Sequence, residues 1–196
     1  MIKILQKTKQ FILLCTVSIV FYNCNQNSIE CVIETDKGDI IIELYPEKAP
    51  ITVANFLKYV DANKYENSAF FRVCNTQNEA ERTIPIEVIQ GGLDENAGGF
   101  PPIKIETTKE TGLKHENGTL SMARLEPNTA TDSFFICTGS QPELDFGGKR
   151  NPDGQGFAAF GKVTKGMDVV KAIQRMKDTS QYLVEPVVIK NIKRIQ

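Results

Sequence analysis

The residues best equipped for chemistry fall in four segments. Ala69-Phe70-Phe71-Arg72-Val73 places a guanidinium directly after two phenylalanines, on a stretch that reads as a strand and gives an arginine no packing role. Pro85-Ile86-Glu87-Val88-Ile89-Gln90-Gly91-Gly92 brings a side-chain amide up to two glycines. Gly118-Thr119-Leu120-Ser121-Met122-Ala123-Arg124 leads on to Ser133-Phe134-Phe135-Ile136-Cys137-Thr138, and Phe160-Gly161-Lys162-Val163 completes the series. A guanidinium stays charged, carries several donors and has no acid–base ambiguity. Arg72 therefore suits fixed hydrogen-bond donation rather than proton transfer, and Gln90 can orient it.

Other chemistries lack their residues. The single histidine, His115, rules out a His-rich metal cluster, and any Ser-His-Asp triad would have to use it. It stands beside Glu116-Asn117-Gly118 ahead of a predicted strand, which predicts a surface turn. Gly91-Gly92 and Gly98-Gly99 lack the lysine and the strand-to-helix setting of a phosphate loop. Asp145 and Asp153 share a glycine-rich loop without calcium-loop spacing. No metal and no cofactor are expected. A net charge of −1 argues against nucleic acid as partner.

The scaffold that must hold these side chains is rich in short strands. Cys31 to Thr35 and Asp39 to Leu44 flank Asp36-Lys37-Gly38, a hairpin turn with a glycine to take positive φ. Pro50 suits the first turn of a helix, and Val53, Phe56, Leu57 and Val60 follow on one helical face. Strand-like runs punctuated by Gly and Pro continue from Ala69 to Val163. A second helix is expected after Gly166, with Val169, Ile173 and Met176 on one face. Pro186 is then expected to open a last strand through Ile195. This pattern predicts a mainly β antiparallel structure with two flanking helices, in which closure into a barrel would remove exposed edges.

At 196 residues, 41% hydrophobic and 24% charged, the chain fits one domain plus a leader. Lys3, Lys7 and Lys9 precede an apolar run of 12 residues, Phe11 to Tyr22, and then Cys24. A bilayer span needs about 20 apolar residues, so this run reads as a signal peptide, with Cys24 placed to take a lipid. The organisation read from the sequence is a lipoprotein-type signal over residues 1–23, a short tether over 24–30 and one domain over 31–196. Of the 23 basic residues, the three leader lysines go with the signal, leaving 20 against 24 acidic ones, or about −4. Cys31, Cys74 and Cys137 then remain in the domain, an odd number, best read as buried free cysteines on strands. A Cys31–Cys74 or Cys74–Cys137 bridge stays open in an oxidising compartment.

In their order and spacing the four segments resemble the cyclophilins, the β-barrel peptidyl-prolyl isomerases, from about Cys31 to about Ile195. The resemblance implies a closed eight-stranded antiparallel β-barrel capped at each end by a helix. It implies catalysed rotation about X-Pro peptide bonds in proline-containing polypeptides, assisting the folding of exported proteins. Arg72 takes the place of the family's catalytic arginine, with Gln90 and Phe135 beside it. Phe70, Val88, Met122, Ala123, Arg124, Leu144 and Phe157 are its expected substrate-binding residues. With the leader, the expectation is a monomer in the cell envelope, facing the periplasm and tethered to the membrane through Cys24.

The chemistry calls for a fixed charge-assisted donor, an apolar pocket and substrate positioning acting together. Amide resonance sets a rotation barrier of about 18–20 kcal/mol. At the twisted transition state the prolyl nitrogen regains its lone pair, and a donor aimed there favours the twisted form over both planar ground states. An acceleration of about five orders of magnitude needs roughly 7 kcal/mol.

The chain also departs from the family pattern. Phe71 replaces a histidine, Glu87 a pocket phenylalanine, Arg124 an asparagine and Ser133 a glutamine, while Val88 stands for a methionine and Phe157 for a histidine. Glu143 stands where cyclosporin-sensitive members carry tryptophan, so weak or absent cyclosporin binding is expected. Two loops, Cys74 to Ile84 and Asp145 to Gly156, are longer than usual and are expected to border the groove. Glu87, Val88 and these loops favour the competing reading, a chaperone or scaffold that grips Pro-containing segments without turnover.

Overall fold

The computed structural model describes residues 27–94 and 98–195, so the leader and Cys24 lie outside the described residues. Nine strands form one sheet: β1 (Ile29–Thr35), β2 (Gly38–Leu44), β3 (Ser68–Cys74), β4 (Val88–Gly92), β5 (Thr119–Met122), β6 (Phe134–Cys137), β7 (Ala158–Lys165), β8 (Asp178–Thr179) and β9 (Tyr182–Arg194). The helices are α1 (Pro50–Asp61), the single turn α2 (Thr108–Thr111) and α3 (Met167–Gln174).

The strand order is β1-β2-β7-β5-β6-β4-β3-β9, all antiparallel, and β9 returns to β1. Eight strands therefore close a barrel, with β8 folded back on β9 as a short outer hairpin. The closing register runs from Cys31 opposite Arg194 to Thr35 opposite Ile189. In β1 and β2 the buried residues alternate, placing Cys31, Ile33, Ile40, Ile42 and Leu44 inside, as a two-residue period requires.

The helices cover the barrel's apolar interior. On α1, Val53, Phe56, Leu57 and Val60 are all buried. Phe56 meets Phe134 edge-on, with ring centroids 5.5 Å apart, and lies 5.2 Å from Phe160. Burying a ring this fully stabilises by roughly 1.5–3 kcal/mol. Pro50 fills the first turn, and the free N–H groups of Ile51 and Thr52 donate to the Glu106 carboxylate at 3.1 and 2.8 Å. That distant carboxylate takes the place of a local cap and complements the helix dipole. On α3, Val170 and Ile173 are buried and Val169 packs partly against the core; the expected third face residue, Met176, lies beyond the helix's end at Gln174 and packs there from the following turn.

The last strand differs from expectation. It begins at Tyr182 rather than at Pro186. Between Arg72 opposite Tyr182 and Phe70 opposite Val187 the register shifts, and residues 183–186 have no partner on β3. Pro186 sits in this bulge, where its missing N–H breaks no ladder bond.

Candidate active site

The site is one row of residues across the outer face of the barrel. Tyr182 on β9 lies opposite Arg72 on β3, Arg72 opposite Gln90 on β4, Gln90 opposite Phe135 on β6, and Phe135 opposite Ser121 on β5. The ladder thus brings Arg72, Gln90 and Phe135 side by side from three separate segments.

A bulge between Phe70 and Arg72 creates the site's main irregularity. An extra residue lets two consecutive side chains leave the same face, so Phe71 and Arg72 both line the groove. Phe70 turns inward, fully buried against Phe134 with centroids 5.8 Å apart. Gly91 allows this close approach, since a Cβ there would lie 2.9 Å from both the Ala69 carbonyl and the Phe70 ring.

Arg72 is held by two amide carbonyls. Its Nη1 donates to Gln90 Oε1 at 2.7 Å. Its Nε and Nη2 both donate to Gln181 Oε1, at 3.0 and 2.5 Å. A guanidinium has five N–H donors, so among the described residues two are left to face the groove. Gln90 is itself anchored, its Nε2 donating to Ser133 Oγ at 3.0 Å. Ser133 in turn donates to the Gly91 carbonyl at 3.2 Å.

The groove beside Arg72 encloses about 260 Å³. Its floor is a second apolar cluster outside the barrel, in which Ile86, Val88, Phe135 and Leu144 pack with Cys74 and Cys137, and Ala123 and Phe157 cover them. Phe135 meets Phe157 edge-on at 5.4 Å. Arg124 fixes one wall: it donates to Asp153 through Nη1 and Nη2 at 2.7 and 2.9 Å, and through Nε to the Gly156 carbonyl at 2.9 Å. Its guanidinium lies 5.3 Å from the Phe157 ring centre. Gly156 holds φ +63°, and a Cβ there would collide with the Leu144 carbonyl. Asp153 is held below its ordinary range mainly by the Arg124 hydrogen bond.

Val88, Ala123, Arg124, Leu144 and Phe157 therefore line the groove with Arg72, Gln90 and Phe135. Two expected residues do not. Phe70 and Met122 belong to the barrel interior, because strand pleating sends Leu120 and Met122 inward while Ser121 and Ala123 face the groove side. Glu87 is also displaced: Ile86 lines the groove, while Glu87 faces away toward Gln174 and Arg175. Sequence reasoning missed Gln181, Tyr182, Ile86 and Arg150, all at or beside the groove. Their positions follow from β9 pairing and from loop docking, which leave no local pattern.

His115 is not in a surface turn. It is 1% exposed. Its ring bonds Asp145 through Nδ1 at 2.8 Å and Ser121 through Nε2 at 2.9 Å, and stacks on Phe135 with centroids 5.9 Å apart. Burial pushes its pKa down, against the opposing pull of Asp145. This Ser-His-Asp arrangement is sealed, since Ser121 is fully buried. It supports the back of Phe135 and offers no nucleophile to substrate.

Cys31, Cys74 and Cys137 are buried and unpaired, on β1, β3 and β6. Burial raises the thiols of Cys31 and Cys74 to about 11 and that of Cys137 further. Among the described residues no cluster of His, Cys, Asp and Glu is arranged to hold a metal.

Residues 31–194 match the family described as cyclophilin type peptidyl-prolyl cis-trans isomerase/CLD. The chain is 37% identical over 175 residues to peptidyl-prolyl cis-trans isomerase cyp18 of Streptomyces antibioticus, spanning 82% of this chain and 95% of that protein. It is 40% identical over 149 residues to peptidyl-prolyl cis-trans isomerase B of Escherichia coli K12, spanning 71% and 80% of the two. The crystal structure of a Cryptosporidium parvum cyclophilin-type isomerase superposes with a TM-score of 0.70 at 25% identity, covering 86% of this chain and 98% of that one. The same parasite protein, solved in the presence of the dipeptide Ala-Pro, gives 0.69 at 26% identity. Barrel, groove and relatives agree, and the chain belongs to the cyclophilin-type peptidyl-prolyl cis-trans isomerases.

Proposed function

We propose that this isomerase acts through Arg72 on X-Pro bonds of polypeptides in the cell envelope, exported by the signal over residues 1–23 and tethered through a lipid on Cys24. One observation carries the mechanism: Gln90 and Gln181 claim three of the Arg72 donors and leave two toward an apolar groove. The proline ring enters over Phe135, Val88 and Leu144, and the free N–H groups meet the prolyl nitrogen as it becomes pyramidal. A donor already fixed in place costs no reorganisation at the transition state. Binding of proline-containing peptides is supported by the dipeptide Ala-Pro used with the C. parvum relative. The enzyme acts as a monomer.

The scaffold reading rests on Glu87, Val88 and the two long loops; of these, Val88 lines the groove, while Glu87 faces away from it. The deciding experiment is cis/trans exchange of an Ala-Pro-Phe peptide by NMR, with the wild type and with Arg72→Ala. Acceleration lost in the variant supports the assignment; undiminished acceleration removes Arg72 from the mechanism. Radiolabelled fatty acid incorporated by wild type but not by Cys24→Ala tests the anchor, and unlabelled wild type overturns it.

A further inference from the structure

The extended loop after Cys74 reaches behind the groove as well as toward it. There it buries a carboxylate behind Arg72. Glu79 is fully buried. Asn75 starts the loop, its Oδ1 accepting from the N–H groups of Gln77 and Asn78 at 2.9 and 3.1 Å, and the Glu79 N–H donates back to the Asn75 carbonyl at 3.0 Å. From the other long loop Arg150 reaches in and donates to both Glu79 oxygens, at 2.5 and 3.1 Å, and to the Ile84 carbonyl at 2.6 Å. The Ile86 N–H donates to Glu79 at 3.2 Å. Burial alone would raise the carboxyl, but Arg150 and the Ile86 N–H outweigh it and hold it below its ordinary value.

Glu79 Oε1 also lies 3.7 Å from Arg82 Nε and accepts from Gln181 Nε2. An amide side chain has a donating end and an accepting end, and either orientation fits the same space. An ionised carboxylate only accepts. Facing Glu79, Gln181 must therefore present its NH2 group there and its carbonyl to the opposite side. On that side, among the described residues, stand only donors: Arg72 Nε and Nη2, and the Cys74 thiol at 3.7 Å. The reversed amide would set an NH2 group against a guanidinium, and also against Glu79 its carbonyl. The hairpin between β8 and β9 holds Gln181 rigidly, at φ +78° with its N–H donating to Asp178 Oδ1 at 2.9 Å.

We infer that Glu79 and Gln181 are positioning residues for catalysis: buried Glu79, held by Arg150, fixes the orientation of the Gln181 amide, and Gln181 fixes the guanidinium plane of Arg72. The two long loops supply Glu79 and Arg150, and through this pair they act on Arg72 from behind, while the second loop also borders the groove. Gln90 and Gln181 form a matched pair, each with its carbonyl on Arg72 and its NH2 on an acceptor, Ser133 or Glu79. With both in place the guanidinium cannot swing, and its two free N–H groups stay aimed at the groove. The inference rests on Arg72 being the catalytic donor.

The test uses Arg72→Ala, Gln181→Met and Glu79→Gln in the intact protein, with kcat and KM for an X-Pro peptide and the Arg72 Nε–Hε resonance by NMR. Gln181→Met keeps side-chain length and removes no charge, so folding is spared; Glu79→Gln keeps shape but lets Gln181 reverse. Both are expected to lower kcat about tenfold, the effect of one charge-assisted bond, with KM within about twofold. The Nε–Hε signal should shift upfield and exchange faster with water. Wild-type kcat with an unshifted Nε–Hε signal in Gln181→Met overturns the inference while leaving Arg72 as donor. A rise in KM alone also overturns it, because a loosened groove rather than a misaimed donor would then be the cause. Full activity in Arg72→Ala would instead remove the donor itself, and the positioning role with it.

Discussion

Ser133 Oγ sits 3.0 Å from Gln90 Nε2 and gives its own proton to the Gly91 carbonyl, so it can only accept from the amide. The hydroxyl thereby decides which end of Gln90 faces Arg72. Ser133→Ala should lower kcat about fivefold, the worth of one neutral hydrogen bond. Peptide exchange by NMR checks it; an unchanged rate would mean that Gln90 holds its orientation without help.

His115 is the chain's only histidine, and it gives stability a pH dependence. Its folded pKa lies below the ordinary value of 6.5 because burial disfavours the cation, with Lys114 adding to the effect and Asp145 opposing it. Below about pH 6.5 the unfolded chain binds a proton that the folded chain refuses, so stability falls as pH drops from 7 toward 5. Asp145 and Glu79 are depressed carboxylates, whose contribution is lost only further down, as pH falls below their ordinary values of 3.8 and 4.5. Between pH 7 and 5 the unfolded chain should therefore bind more protons than the folded one. Chemical denaturation at the two pH values measures it, and His115→Asn should flatten the difference.

Arg124 ties the loop around Asp153 to the end of β5. Arg124→Ala frees that wall while leaving Arg72, Gln90 and Gln181 bonded. The expected signature is a KM raised about tenfold, the loss of one charge-assisted contact, with kcat nearly unchanged. A fall in kcat alone would place Arg124 in the chemistry instead.

The thiols of Cys31, Cys74 and Cys137 should resist a thiol reagent at pH 8 in the native protein and react fully in denaturant. Burial withholds both the reagent and the thiolate. Mass mapping of the labelled peptides reads each site separately. Rapid native labelling of Cys74 would show that the loop carrying Glu79 opens readily.

Much of this arrangement was legible in the sequence because ladders are local rules repeated. The alternation in β1 and β2 and the apolar face of α1 follow from residue period alone, and the order of the four segments located Arg72, Gln90 and Phe135. The pleat misplaced Met122 and the bulge misplaced Phe70, since neither inside nor outside is printed in a run of apolar residues. His115 looked exposed because its burial depends on Asp145, 30 residues further on. Glu79 and Gln181 are 102 residues apart and belong to a loop and a turn. Irregular segments carry no period, so only their docking reveals the contact.

The barrel is closed by β9 against β1, its first and last strands. During synthesis, strands β1 to β7 must therefore wait with open edges until the final segment arrives. Contacts spanning this much chain form slowly. The same late segment delivers Gln181 and Tyr182 to the row beside Arg72. Gln181 and Tyr182 reach Arg72 only with this segment, so the guanidinium is set in place only once the chain's own last strand has docked, and the catalyst switches on when its own folding is finished.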